Sequence, residues 1–117
     1  MIGQLSSVVF DCPDPHALAR FYSELLGLPV TRVGGDWVDI GDGQARRLSF
    51  QHSPGHQPPR WPDPTFPQQV HLDIRVADIA EAEPKVLALG ATRLPSTEPG
   101  FRVYADPAGH PFCLEWE

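Results

Sequence analysis

Four side chains near the ends of two short segments have the chemistry to bind a ligand or to move protons. His71 and Asp73 lie two residues apart, and so do Cys113 and Glu115. Imidazole, thiolate and carboxylate groups together suit zinc or iron by ligand type. Without a metal, His71 or Glu115 could act as a general acid or base, and Cys113 with His71 could form a thiolate and imidazolium pair. We take His71 and Glu115 as the catalytic candidates.

Strand periodicity predicts where these groups point. The segment 70–76, VHLDIRV, alternates apolar and polar residues, and so does the segment 111–116. Successive side chains of a strand point to opposite faces of a sheet, so the apolar residues share one face and the polar residues share the other. Residues two apart on a strand are separated by about 6.5 to 7 Å, and this spacing argues against one ion held by all four groups. Arg75 falls on the polar face beside Asp73.

The chain repeats itself at a constant offset of 64 residues. Equivalent positions of a duplicated unit take equivalent places in the fold, so the polar face of the second half has a counterpart in the first. The repeat relates these pairs: Ser7 and His71, Asp14 and Asp78, Asp42 and Asp106, Ser49 and Cys113, and Gln51 and Glu115. Ligand pockets usually combine a few polar groups with apolar or aromatic walls. The predicted ligand-binding residues are therefore Ser7, Trp37, Ser49, Gln51, His71, Asp73, Arg75, Phe101, Cys113 and Glu115.

Two helices must hold these strands in place. Asp14 and Pro15 are a typical helix start, and the apolar spacing that follows predicts a helix over 15–26, ended by Gly27. In the second half Asp78 and the following residues have capping-box spacing. Because an interior proline costs about 3 kcal/mol, Pro84 predicts that the regular helix begins near residue 84, after a separate short turn.

Further strands are expected at 4–11, 29–33, 36–41, 46–52, 92–95, 101–105 and 111–116. The predicted fold is α+β, with two tandem βαβββ modules. Module one spans 1–52, a proline-rich crossover spans 53–67, and module two spans 68–117, all within one domain. The crossover holds six prolines with Trp61 and Phe66, and it is expected to cover a sheet edge or, alternatively, to act as a substrate lid.

Composition limits the partners. A net charge of −6 with nine lysines and arginines argues against nucleic acid and against an anionic membrane surface. No segment approaches the roughly 18 apolar residues of a membrane span, and no signal peptide is recognisable, so a cytoplasmic protein is expected. The two cysteines, Cys12 and Cys113, have no metal-ribbon spacing and are expected to be reduced thiols.

The duplicated unit resembles the vicinal oxygen chelate superfamily, which includes glyoxalase I, bleomycin resistance proteins and extradiol dioxygenases. The resemblance rests on the segments DCPDPHALARFYSELLGL, residues 11–28, and ADPAGHPFCLEWE, residues 105–117. It implies a glyoxalase-like protein whose modules curl a mixed sheet around a cleft, often completed by a homodimer.

The resemblance also implies where a metal would bind. The family positions near the start and the end of each module fall on Ser7, Ser49, His71 and Cys113, and only His71 is a family ligand. Divalent catalytic sites normally use three or four protein ligands, so the usual metal site is predicted to be lost and no cofactor is predicted. A retained ion, whether zinc, nickel, iron or manganese, would use His71, Cys113 and Glu115.

Two functions follow from these expectations. The first is metal-independent binding of a small organic molecule in the cleft between the modules. The alternative is a metal-dependent lyase, isomerase or dioxygenase acting on a vicinal-oxygen substrate. A purely structural, partner-binding domain is a third interpretation, since fold does not supply function.

Overall fold

A computed structural model describes residues 1–43 and 45–116 of the chain. Gln44 and Glu117, the last residue of the predicted second module, lie outside the described residues. The chain divides into two compact units, Met1–His56 and Gln57–Glu117. Each unit has the element order βαβββ and contains one four-stranded mixed sheet. The fold is α+β with two tandem modules, as the sequence predicted.

The first unit contains strands β1 to β4 and helix α1. Their bounds are β1 Val8–Cys12, α1 Pro15–Leu26, β2 Val30–Val33, β3 Trp37–Gly41 and β4 Arg46–His52. The strand order is β1-β4-β3-β2, with β1 parallel to β4 and the other neighbours antiparallel. The predicted first strand, 4–11, starts too early, because the residues before Val8 include Ile2 and Leu5, which are exposed and bury no apolar surface.

Helix α1 has the bounds that its sequence predicted. The Asp14 carboxylate accepts hydrogen bonds from the backbone N–H groups of His16 and Ala17, each at 3.1 Å, and Pro15 occupies the first turn. Gly27 ends the helix with φ 68°, a left-handed conformation that glycine adopts without strain. The buried face of α1 packs on the sheet, where the ring of Tyr22 stacks 5.7 Å from that of Phe50.

The second unit contains strands β5 to β8 and helix α2. Their bounds are β5 Leu72–Arg75, α2 Ile79–Ala88, β6 Thr92–Arg93, β7 Phe101–Ala105 and β8 Pro111–Glu115. The strand order is β5-β8-β7-β6, with β5 parallel to β8. This is the arrangement of the first sheet, so the repeat seen in the sequence is also a repeat of the fold.

Helix α2 is continuous through Pro84, and the prediction that it begins near that residue is wrong. Asp78 accepts a hydrogen bond from the N–H of Ala80 at 2.9 Å, and this cap starts the helix at Ile79. Pro84 has no N–H to donate to the carbonyl of Ala80, four residues earlier. Ala80 is exposed, so water can hydrate that carbonyl, and burial of Val86 holds the helix on its sheet.

The proline-rich segment contains no helix or strand between His52 and Leu72. Within the second unit, the indole N–H of Trp61 donates to the carbonyl of Pro95 at 3.0 Å, and the guanidinium of Arg60 lies 4.3 Å from the ring centroid of Phe66. Pro95 follows β6, the edge strand of this sheet. These contacts favour the edge-covering interpretation of the segment over the lid.

Candidate functional site

The polar face of the second sheet is built by β5 and β8. Their parallel register aligns Asp73 with Cys113 and Arg75 with Glu115. Leu72 and Ile74 alternate with these residues and belong to the opposite, apolar face. The predicted division of the two strands into a polar and an apolar face is therefore confirmed by the register.

His71, Asp73 and Cys113 form a close cluster on this face. The Nε2 atom of His71 lies 3.2 Å from Oδ1 of Asp73, and one ligand atom from each of the three residues lies within 4.8 Å of the others. The side chains of His71 and Asp73 are 39% and 54% exposed, whereas Cys113 is buried. The imidazole and the carboxylate are thus exposed to solvent and lie beside a buried thiol.

The thiol of Cys113 is held in its neutral form. Burial is the largest cause, and the negative charge of Asp73 together with a hydrogen bond to that carboxylate adds to it. The more distant charge of Glu115 acts in the same direction. These effects raise the pKa of Cys113 from its ordinary value of 9.0 to about 11. At neutral pH the group is therefore a neutral thiol and a poor nucleophile, and this argues against the thiolate and imidazolium pair.

Glu115 does not join the cluster, and Asp73 takes the place that the sequence analysis gave to Glu115. The Oε1 atom of Glu115 lies 3.4 Å from a guanidinium nitrogen of Arg75, its cross-strand neighbour. Glu115 is two residues from Cys113 on the same strand, so its carboxylate starts about 6.5 to 7 Å away. Asp73 is the direct cross-strand partner of Cys113. The ligand atoms that lie close together belong to His71, Asp73 and Cys113, whereas the set predicted for a retained ion is His71, Cys113 and Glu115.

The polar face of the first sheet holds a different network. The hydroxyl oxygens of Ser7 and Ser49 are 2.7 Å apart, and the hydroxyl of Ser49 donates to Oδ1 of Asp39 at 2.6 Å. The indole N–H of Trp37 donates to the same oxygen at 2.6 Å. Asp39 and Ser49 are 1% and 0% exposed, so this carboxylate is buried with its hydrogen bonds made inside the protein.

Asp39 is the residue of this polar network that the sequence analysis missed. It sits in the strand WVDIG, where alternation places it on the same face as Trp37 and opposite Val38 and Ile40. An aspartate inside an otherwise apolar strand is an unusual feature, and it was the signal that could have identified the residue. Comparison of the two modules did not draw attention to Asp39, because the residue at the equivalent position in the second module is the apolar Val103.

The remaining predicted site residues lie on the same faces. Gln51 is exposed and pairs across strands with Trp37, which is half-buried. Phe101 is half-buried and pairs with Glu115. Trp37 is thus more than an apolar wall, since its N–H is tied to a buried carboxylate. Phe101 retains the role of an apolar neighbour to the charged pair.

The cluster of the second unit has a donor set that fits a divalent ion. One imidazole nitrogen, one carboxylate oxygen and one thiol sulfur are ligand types that zinc accepts, and three protein ligands with an open position are typical of catalytic zinc. The protonated thiol must lose its proton to bind, which makes ion affinity dependent on pH.

Comparison with known proteins places the chain among glyoxalase-like proteins. A family model described as a glyoxalase-like domain matches residues 7–115. No curated protein matches the chain at a significant level. Among solved structures, a glyoxalase/bleomycin resistance protein/dioxygenase family enzyme from Burkholderia phytofirmans has 17% identity and a TM-score of 0.73, with 96% of this chain and 97% of that chain covered.

Two further solved structures have the same fold. A glyoxalase family protein from Enterococcus faecalis has 21% identity and a TM-score of 0.68, with 97% of this chain and 98% of that chain covered. The other is a mutant of FosX, a fosfomycin resistance protein from Listeria monocytogenes, complexed with Mn(II) and 1S,2S-dihydroxypropylphosphonic acid. It has 16% identity and a TM-score of 0.73, with 100% of this chain and 94% of that chain covered. Within residues 1–43 and 45–116, neither helix has the length and apolar character needed to cross a bilayer.

Proposed function

The chain belongs to the glyoxalase-like domain family of the vicinal oxygen chelate superfamily, and from that premise we propose that it binds a small organic molecule on the polar face of its second module. The observation that carries this proposal is the cluster of His71, Asp73 and Cys113, in which two solvated polar side chains adjoin a buried thiol. Arg75 and Glu115 continue the face with a further pair of charged groups.

The polar face offers a ligand several complementary contacts. Asp73 lies within hydrogen-bond reach of His71, and its carboxylate adjoins the thiol of Cys113. The half-buried ring of Phe101 adjoins Glu115 and supplies apolar surface. A few convergent polar groups beside an aromatic ring are typical of small-molecule sites. We infer that the ligand has a polar group for the cluster and an apolar part for the ring.

We propose that this binding does not need the usual metal of the superfamily. Ser7 and Ser49, at the ligand positions that the resemblance implies for module one, are tied to each other and to buried Asp39. Cys113, at the position where a carboxylate is expected in module two, is a neutral thiol at neutral pH. None of these three residues therefore offers an anionic ligand at neutral pH.

A metal-dependent lyase, isomerase or dioxygenase is the second candidate. The observation that favours it is the spacing of His71, Asp73 and Cys113, whose ligand atoms all lie within 4.8 Å of one another. These three residues would hold the ion. When bound, a divalent ion would act as a Lewis acid and polarise the oxygens of a substrate. His71 would then be unable to serve as a base through the nitrogen that it gives to the metal.

Metal content per chain separates the two candidates. The protein is purified without a tag or chelator, exposed to zinc, nickel, iron or manganese, and analysed for its elements beside His71→Ala. The matched control is His16→Ala, which removes an exposed imidazole from α1. We expect no stoichiometric uptake in any of the three proteins. Near-stoichiometric uptake that is lost in His71→Ala and kept in His16→Ala would refute metal independence.

Ligand binding is then tested by thermal stabilisation in a screen of small organic molecules. A ligand of this face should stabilise the wild-type protein by an amount that grows with the logarithm of its concentration once that concentration exceeds the Kd. The stabilisation should fall in Asp73→Asn and stay unchanged in Asp11→Asn, which alters an exposed β1 carboxylate of the other unit. Equal stabilisation of both variants would place the ligand elsewhere.

We also propose that the chain forms a homodimer, as its resemblance to the superfamily implies. Sedimentation equilibrium tests this, with an expected mass of twice the 12.9 kDa of one chain. A single species at the monomer mass would contradict it.

A further inference from the structure

A groove runs between helix α1 and the edge strand β2 of the first unit, and we call it the α1–β2 groove. Its volume is about 260 Å³, which exceeds the roughly 150 Å³ of an apolar cavity that holds benzene. Val38 alternates with Trp37 and Asp39 along β3, so the groove lies on the face of the sheet opposite the polar network. The lining includes Ala19, Arg20, Glu24, Val30, Val33 and Val38.

Three residues of the α1–β2 groove have counterparts in the second module. On the helix and the inner strand the counterpart follows from the offset of 64 residues. On the edge strand it follows from the register, because Val30 pairs with Ile40, and Arg93 pairs with Tyr104, which lies 64 residues after Ile40. The three pairs are Ala19 and Glu83, Val30 and Arg93, and Val38 and Arg102.

In the second module these counterparts form an ion network between helix and sheet. The carboxylate of Glu83 on α2 contacts Arg93 on β6, at 3.3 Å, and Arg102 on β7. The side chain of Glu83 is 17% exposed, so the network is largely shielded from solvent. In the first module Ala19 and Val38 are too short to bridge helix and sheet in this way, and the same place is an open groove. The α1–β2 groove therefore has room for an external molecule where module two has its own side chains.

The surface of the α1–β2 groove is mainly aliphatic. Ala19 and Val38 are buried, whereas Val30 and Val33 on the edge strand are 44% and 64% exposed. Removing exposed apolar surface from water favours association. A ligand with an apolar body would cover both exposed valines.

The ionisable side chains of the groove indicate the polar end of such a ligand. Arg20 is exposed, and within residues 1–43 and 45–116 its guanidinium has no ion-pair partner. A guanidinium can bind a carboxylate through two parallel hydrogen bonds. His16, one turn earlier on α1, is a second possible donor that lines the groove. Glu24, one turn later, would repel a carboxylate at its own end, so a carboxylate is expected beside Arg20.

We propose that the α1–β2 groove binds a small organic carboxylate, with its apolar body on Val30 and Val33 and its carboxylate on Arg20. The groove belongs to the first unit and to the face of the sheet that carries α1. The site is therefore independent of the binding proposed for the cluster around His71, and either proposal can fail without the other.

Hexanoate, 1-hexanol and acetate are the probes. Hexanol keeps the hydrocarbon chain without the carboxylate, and acetate keeps the carboxylate without the chain. Each is titrated into the full chain and followed by NMR shifts of the amides of Ala19, Val30 and Val33. We expect hexanoate to bind about twofold to fivefold more tightly than hexanol, the range of one exposed ion pair. Acetate should cause no saturable shifts at these amides.

Arg20→Gln should abolish the preference for hexanoate over hexanol while hexanol still binds. Arg32→Gln is the matched control, since Arg32 is an exposed arginine of β2 that does not line the groove, and it should keep the preference. Val33→Asn should weaken the binding of hexanoate and hexanol together, because it removes aliphatic surface that both chains cover.

The proposal is overturned by equal affinities of hexanoate and hexanol for the wild-type protein, by a preference that survives in Arg20→Gln, or by a hexanoate affinity that is unchanged in Val33→Asn. The absence of saturable hexanoate shifts at the three amides would also overturn it. A dilution series without probe provides the last test. If the same amides shift on dilution, a second copy of the chain covers the groove and the proposed carboxylate site is wrong.

Discussion

The thiol of Cys113 should react with alkylating agents more slowly than an ordinary thiol at neutral pH, and its rate should reach its maximum only at strongly alkaline pH. Its pKa is raised from 9.0 to about 11, so at pH 8 the thiolate fraction is about a hundredfold lower than that of an ordinary thiol. A more basic thiolate is intrinsically more nucleophilic, and a Brønsted slope of about 0.4 to 0.5 returns roughly eightfold over two pKa units. The net reduction in the alkylation rate at pH 8 is therefore about tenfold, before any effect of limited access.

The pH dependence of the reaction removes the effect of access. Metal-free protein is treated with iodoacetamide between pH 7 and 12, and peptide mass spectrometry separates Cys113 from the buried Cys12. The rate at Cys113 should rise with a midpoint near pH 11. Because the folded-state pKa lies above the ordinary value, the same group contributes stability below pH 9 that is lost as the pH rises from 9 toward 11.

Replacement of Asp73 tests the cause of the shift. Asp73→Asn removes the negative charge beside Cys113, so the midpoint should fall, while staying above 9.0 because burial is the largest cause. Glu115→Gln is the matched control and should lower the midpoint less, since the charge of Glu115 is the smallest contribution. A wild-type midpoint at 9, or a midpoint that rises in Asp73→Asn, would refute a Cys113 thiol whose pKa is raised by burial and by the charge of Asp73.

Two further predictions concern stability and are measured by urea unfolding. Asp106 is buried and accepts hydrogen bonds from the N–H groups of Ala108 and His110 at 2.9 Å each, so Asp106→Ala should lower the free energy of unfolding by about 2 to 4 kcal/mol. The control is Asp42→Ala, which changes the exposed counterpart of Asp106 in the first module and should alter the free energy of unfolding little. Similar losses in the two variants would contradict this prediction. Pro84→Ala should raise the free energy of unfolding by about 2 kcal/mol, because removing an interior proline stabilises a helix by about 3 kcal/mol and the more flexible unfolded chain offsets part of that gain. The control is Pro15→Ala, at the start of α1, which should not raise the free energy of unfolding.

The sequence predicted the fold well where a short segment is compatible with only one local structure, as at helix ends and in alternating strands. Asp14, Pro15 and Gly27 fix the start and end of α1 because each supplies a cap or a backbone angle that few other residues supply. Alternation of polar and apolar residues predicted the two faces of β5 and β8, because successive side chains of a strand must point to opposite faces of the sheet. Pro84 led to a wrong prediction of where α2 begins, because the free-energy cost of an interior proline is outweighed by the cap at Asp78 and by burial of Val86.

The site was less predictable because it depends on which strands are neighbours, and the order of residues along the chain does not specify this. The repeat correctly paired Ser49 with Cys113, and each occupies the central position of its module's polar face. It could not show that Asp39 reaches Ser49 from β3 or that Asp73 reaches Cys113 from β5. Asp73 rather than Glu115 lies close to Cys113 for the same reason, since the cross-strand distance is shorter than the distance along one strand.

The two modules place one carboxylate beside the central residue of the polar face, and they take it from opposite neighbours. In module one, Asp39 lies on the inner strand β3, is 1% exposed and is fixed by two donors. In module two, Asp73 lies on the edge strand β5, and its side chain is 54% exposed. Buried, fully bonded groups resist rearrangement, whereas solvated ones exchange partners readily. The carboxylate of module one is therefore fixed in place, whereas the carboxylate of module two is free to exchange its partners with solvent.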